Sequence, residues 1–133
     1  MSLVMDARTR AELRRTDPWE VRGAYSWVKA IKTLPEFATV DDARLMAVAP
    51  LAARVREDSG KALGVALRGV SEARVRRLLA SDREDIQDQL MKAVALVRRS
   101  VGVADLVSTA VFWGEQRRRQ LAREYFGEDE RDG

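Results

Sequence analysis

Asp82, Asp85 and Asp88 recur every three residues, and carboxylates at that spacing can line one side of a helix and hold a divalent cation through oxygen ligands. Among the 133 residues there is no Cys and no His, which removes thiol chemistry, imidazole acid–base catalysis and the common zinc sites. An enzyme built on this chain would have to run on carboxylates, hydroxyls or Lys. The three aspartates also fall in the first turns of an expected helix, where the positive end of the helix dipole stabilises negative charge. That plainer role is the one favoured here. There is no glycine-rich phosphate loop, nucleophile motif or cofactor fingerprint, so the expectation is a non-catalytic protein without metal or cofactor.

The other chemistry open to these residues is anion binding. Arg117, Arg118 and Arg119 stand between Phe112-Trp113 and Tyr125-Phe126 in the stretch FWGEQRRRQLAREYFG, and guanidinium groups meet phosphates bidentately and stack on bases. Three adjacent arginines span about 200° of a helix, so they cannot share a face. Val103, Leu106, Ala110, Trp113, Gly114, Leu121 and Tyr125 gather on one side, which makes Trp113, Leu121 and Tyr125 core residues rather than stacking platforms. Arg117 and Arg118 border that side, their stems on the core and their heads reaching outward. Arg119 and Arg123 share the opposite side with Phe112 and Gln116 and form a candidate phosphate strip.

A second basic group lies between Ser71 and Lys92. Arg74 and Arg77 share one face, Arg76 points elsewhere, Arg83 opens the next helix and Lys92 follows along it. An ordinary solvated surface is the alternative for both groups. The formal net charge is +3, but it is unevenly spread. Glu128, Asp129, Glu130 and Asp132 oppose only Arg131 in the tail 127–133, leaving 23 basic against 17 acidic side chains, a net +6, in the rest. That surplus favours an anionic partner. All the basic residues except Lys29, Lys32, Lys61 and Lys92 are Arg.

The elements that must position these groups are helical, because the apolar spacing is helical nearly everywhere. The expectation is an all-α bundle of about six helices, divided into an N-terminal lobe (1–58), a C-terminal bundle (59–126) and an acidic disordered tail (127–133). The first helix covers about 5–15. Asp17, Pro18 and Glu20 restart the chain as N-cap, first residue and first-turn acid, and Val21, Tyr25, Val28 and Ile31 then face one way. Thr39 opens a third helix with the stripe Leu45, Val48, Ala52 and Val55, kinked or split by Pro50. The stretch Glu57 to Gly60 is the boundary between lobes. A short helix (61–68), a turn at Gly69 and a helix from Ser71 to Ala80 follow. Ser81-Asp82-Arg83-Glu84 reads as a capping box before a helix buried through Ile86, Leu90, Val94 and Val97. One last helix is expected to run unbroken from about Val103 to Phe126. The N-terminus MSLVMDARTR meets charge too early for a signal peptide, and no run has membrane-spanning length, so a cytoplasmic protein without membrane contact is expected.

In order along the chain, Leu13-Arg14-Arg15, the turn ALGVALRG, the stretch SEARVRRLLASDRED, a helix bearing Lys92, and the Trp-Gly pair with its polar and basic run in FWGEQRRRQLAREYF resemble the CasB family. CasB is the small subunit of Cascade, the type I-E CRISPR surveillance complex. The resemblance covers about residues 7–126. It implies an all-α, non-enzymatic subunit present in two copies, which binds its Cascade neighbours, the crRNA, and the target and displaced DNA strands, and so stabilises the R-loop. R-loop formation is a nearly balanced exchange of duplexes, so modest contacts to phosphates can tip it.

Carried over by position, the family's basic contacts match Arg15, Arg74, Arg83 and Lys92. Arg77, Arg118, Arg119 and Arg123 complete the expected nucleic-acid contacts. The two residues after Trp113-Gly114, often basic in relatives, are here Glu115 and Gln116, with the three following arginines as replacements. The chain begins later than relatives do, so an N-terminal packing helix is expected to be shortened or missing. Two other functions stay open from the residues themselves. One is a free-standing, dimeric DNA-binding transcriptional regulator using a helix-turn-helix joined at Ser81-Asp82. The other is an interaction scaffold whose basic faces serve only solubility.

Overall fold

The computed structural model describes residues 22–127. The expected helix at 5–15, the Asp17-Pro18 restart, Arg15 and the acidic tail after Gly127 therefore lie outside the described residues. Within them the chain is all-α, with seven α-helices and two very short strands. The helices are α1 (Arg22–Ile31), α2 (Asp42–Ala52), α3 (Leu63–Ala66), α4 (Glu72–Leu79), α5 (Ile86–Leu96), α6 (Val103–Val111) and α7 (Glu115–Phe126).

Burial follows the helical period, with local corrections. In α1 the core is reached by Trp27, Val28 and Ile31, while Tyr25 stays 51% exposed under the Lys29 ammonium. The larger apolar surface of Trp27 sets the rotation of the helix. In α2, Leu45, Val48, Ala49 and Ala52 are buried, one face at i, i+3, i+4 and i+7. Its N-cap is Asp41 rather than Thr39, because the Asp41 carboxylate accepts the free amide of Ala43 at 3.2 Å. Pro50 lies inside α2, which continues to Ala52. Pro50 removes one i→i−4 donor from the helix, yet the chain is not split there, and only two helical residues follow it.

The strands β1 (Glu57–Asp58) and β2 (Ser100–Val101) pair in parallel, with Glu57 opposite Ser100. A two-residue pairing is too short to leave the alternating signature of a strand in the sequence. Glu57 accepts from the Ser100 hydroxyl at 2.8 Å, and Asp58 accepts the amide of Val103 at 3.0 Å, capping α6 from a distant segment. Between α5 and β2 the chain reverses through Arg98 and Arg99, both left-handed at φ 57° and 59°. That conformation costs a non-glycine residue about 1–2 kcal/mol. It aims the Arg99 carbonyl at the amides of both Arg56 and Glu57, at 2.8 and 3.1 Å.

The expected single helix from Val103 to Phe126 is two helices, broken at Phe112-Trp113-Gly114. Core filling overrides periodicity here. Trp113 turns inward until 1% of it is exposed, whereas Phe112 stays 43% exposed and stacks on Phe37. Arg44 donates to the carbonyl of Val111 and closes α6. α7 then packs on α3 so closely that a Cβ on Gly64 would stand 2.4 Å from Cβ of Glu124 and 2.7 Å from the Leu121 carbonyl. One continuous core joins Phe37, Leu45, Leu51, Leu63, Leu90, Leu106, Trp113 and Leu121.

Candidate nucleic-acid interface

α4 and α5 pack side by side, and the periodicity of each leaves cations on the rim between them. On α4, Val75 and Leu78 enter the core while Arg74 and Arg77 stay exposed; on α5, Leu90, Ala93 and Val94 enter it while Lys92 stays exposed. The three cations line one open groove of about 170 Å³ whose floor is Leu67, Val70, Val75, Leu78, Ala93 and Leu96, with Gln89 beside Lys92. None of the three side chains has an ion-pair or hydrogen-bond partner among the described residues. Such a groove offers phosphates three donors and offers the face of a base an apolar surface.

The other cations around α4 and α7 are engaged with the protein itself. Arg76 pairs with Glu72 at 3.2 Å. Arg117, which borders the core as expected of its place on the wheel, turns fully inward: its side chain is 15% exposed and binds Asp105, Thr109 and Gln120. Arg118 lies over the Trp113 ring at 5.3 Å and donates to the Ser81 carbonyl at 3.0 Å. Its Nε is buried without a hydrogen-bond partner. Arg119 is 69% exposed and paired with Glu115 at 3.1 Å. Arg123 is exposed beside Phe112, Gln116, Arg117 and Gln120, around a second hollow that shares no lining residue with the groove.

Ser81 does not cap α5. Its hydroxyl donates back to Arg77 O, and its carbonyl accepts both the Trp113 indole, at 2.8 Å, and Arg118. Asp82 closes the turn ahead of α5, accepting the amides of Glu84 and Asp85 at 3.0 and 2.9 Å, while Asp85, at the N-cap position itself, makes no side-chain cap bond. Arg83 reaches across to the Trp113 carbonyl at 3.2 Å. Arg83, Trp113 and Arg118 thus clasp the α4–α5 turn to the α6–α7 break and fix the walls of the groove. Leu121 is buried, and Tyr125 is partly buried with its hydroxyl donating to the Val70 carbonyl at 2.5 Å. Among the described residues no group of three potential ligands could hold a metal ion.

The family model of the CRISPR-associated protein Cse2 matches residues 9–126. The chain belongs to the Cse2 family. The crystal structure of CasB from Thermus thermophilus, CasB being the Cse2 protein, is similar in fold, with a TM-score of 0.62 and 28% identity over 91% of this chain and 84% of that one. No curated protein sequence matches the chain. Among the described residues no helix is long and apolar enough to cross a membrane.

The sequence points to the cations that rim this groove but not to its floor. Gln89 and Leu96 escaped notice, although the signal for them exists. Leu96, four residues after Lys92, falls on the polar side of α5 and is 44% exposed, an apolar residue out of register with the core.

Proposed function

We propose that the chain binds single-stranded nucleic acid without reading its sequence, in the groove rimmed by Arg74, Arg77 and Lys92. Within a type I-E Cascade complex this contact would hold the displaced DNA strand and stabilise the R-loop. The observation that carries the reading is convergence: cations from two helices meet on one groove without carboxylate partners, while Arg76, Arg117, Arg118 and Arg119 around them are paired. Phosphate contacts of this kind need no base recognition and weaken steeply with salt. The neighbouring Cascade subunits, the crRNA, the target strand and a second copy of this chain are the other partners we propose. No catalytic role is assigned to any residue.

A free-standing regulator finds less support. The N-terminal residues of a recognition helix must enter the major groove, and the start of α5 carries the exposed Asp82, Asp85 and Asp88, whose charge opposes the phosphates lining it.

The test is binding of labelled single-stranded and double-stranded DNA of mixed sequence across a salt series, with the unaltered chain and with R74A/R77A/K92A. Affinity should fall linearly with salt on a logarithmic scale, and the triple variant should lower the slope by about 2, since each neutralised phosphate of a single strand contributes about 0.7. An unchanged slope in a variant that keeps its helicity would overturn the assignment.

A further inference from the structure

Beyond the groove, arginines gather a second time at the C-terminal end of α5. We propose that a single strand held between Arg74, Arg77 and Lys92 continues past Leu96 onto a second phosphate contact formed by Arg56 and Arg98, with Arg54 and Arg99 beside them. This second contact rests on the function proposed above and lengthens its site.

The backbone assembles the cluster. The Arg99 carbonyl accepts the amides of Arg56 and Glu57, at 2.8 and 3.1 Å, which sets two arginine-bearing segments distant in the chain side by side. The Arg56 and Arg98 side chains are exposed and have no ion-pair or hydrogen-bond partner among the described residues; Arg54 is half-buried and equally unpaired. The carboxylates nearest in sequence are turned to other donors. Glu57 accepts from the Ser100 hydroxyl at 2.8 Å, and Asp58 from the Val103 amide at 3.0 Å.

Arg98 and Arg99 sit in the left-handed region, at φ 57° and 59°, where glycine or asparagine meets less resistance. The bond that this turn makes to β1 uses backbone alone, so its geometry does not call for arginine at either position. Crowding like charges there opposes folding as well. Backbone strain of this kind gathers at ligand sites, and an anion bound across Arg56 and Arg98 would supply the neutralisation that the chain itself does not.

α5 connects the cluster to the groove. Leu96, the last residue of that helix, lines the groove and is 44% exposed, and Arg98 stands two positions beyond it. From Lys92 to Leu96 the helix rises only about 6 Å, so rim and cluster lie within reach of one short strand. The kind of partner follows from what surrounds the arginines. Ala53, Val55 and Val101 are buried and Val97 is partly so. A protein partner would need an apolar anchor at the centre of its contact, and the cluster presents none, whereas phosphates need only guanidinium forks.

Binding of labelled oligothymidylates to the full chain tests this, at lengths of about 4 and about 12 nucleotides, inside the range of site sizes for single-strand binders. The longer strand should show a salt slope steeper by about 1.4, from two further phosphates at about 0.7 each. R56A/R98A should remove that difference and leave binding of the shorter strand unchanged. K29A/K32A takes the same charge from the end of α1 and should leave the difference in place. A difference that survives R56A/R98A, or that K29A/K32A removes equally, overturns the second contact.

Arg98→Gly separates ligand binding from the fold. It should raise the midpoint of thermal unfolding, because glycine relieves the left-handed turn, and still lower the slope for the longer strand by about 0.7. A lower midpoint would make Arg98 a support of the turn and overturn its assignment to phosphate. Failure of both strands to bind any form of the chain would sink the function proposed above and the second contact with it. Binding of both strands with equal slopes would sink the second contact alone.

Discussion

The indole of Trp113 and the guanidinium of Arg118 share one acceptor, the carbonyl of Ser81, at 2.8 and 3.0 Å. That carbonyl sits in the turn between the two helices that carry the groove. The two residues therefore act on the proposed interface from beneath, by setting the angle between its walls.

Trp113→Ala should accordingly cost about 3–5 kcal/mol, the usual loss for emptying a buried aromatic site, read from urea unfolding. Trp113→Phe keeps most of the volume and removes the indole donor. It should cost less than half as much.

Arg118→Ala and Arg74→Ala separate structural from functional arginines. The first should lower the midpoint of thermal unfolding and leave the salt slope of DNA binding nearly unchanged. The second should lower the slope by about 0.7 and leave the melting curve in place. Arg119→Ala should weaken binding less than Arg74→Ala, because Arg119 is already committed to Glu115.

Asp105 serves two partners, accepting from Arg117 and, at 2.7 Å, from the amide of Leu63. Asp105→Ala should destabilise by about 3 kcal/mol, since it strands a largely buried guanidinium. In a double-mutant cycle with Arg117→Ala the two losses should fall short of additivity by about 1 kcal/mol or more.

Gly64→Ala and Gly69→Ala should have opposite signs. At Gly64 a methyl meets Glu124 and the Leu121 carbonyl well inside contact distance, an overpacking worth about 1–3 kcal/mol. At Gly69 nothing lies within 4 Å, so Ala should stabilise by up to about 1 kcal/mol through the unfolded chain. Equilibrium unfolding of the two single variants checks both.

Helix existence was legible because apolar period is local information: Leu45, Val48 and Ala52, or Ile86, Leu90 and Val94, announce a buried face without knowledge of the fold. The break at Trp113 was not legible. Its residues continue a helical period, and only the cavity beneath the Ser81 turn explains why the indole leaves it. The expected capping box at Ser81 does not form, because the Ser81 hydroxyl turns back to Arg77 O and its carbonyl is held by a tryptophan 32 positions away.

The pairing of Arg74 with Arg77 followed from helical spacing. That Lys92 completes their rim is a fact about how α4 meets α5, as the inward turn of Arg118 is a fact about what α7 packs upon. Cations look alike in a sequence; their partners, which decide their availability, come from elsewhere in the chain.

The close seat of α3 against α7 bears on how the molecule is made. α3 spans four residues, too few to persist as an isolated helix. It is held through Gly64 and Glu124, 60 positions apart. Such distant contacts slow folding relative to bundles closed by neighbouring helices. During synthesis Leu63 and Leu67 must wait, uncovered, until α7 has cleared the ribosome, and that interval is when the nascent chain is most open to chaperones and to aggregation.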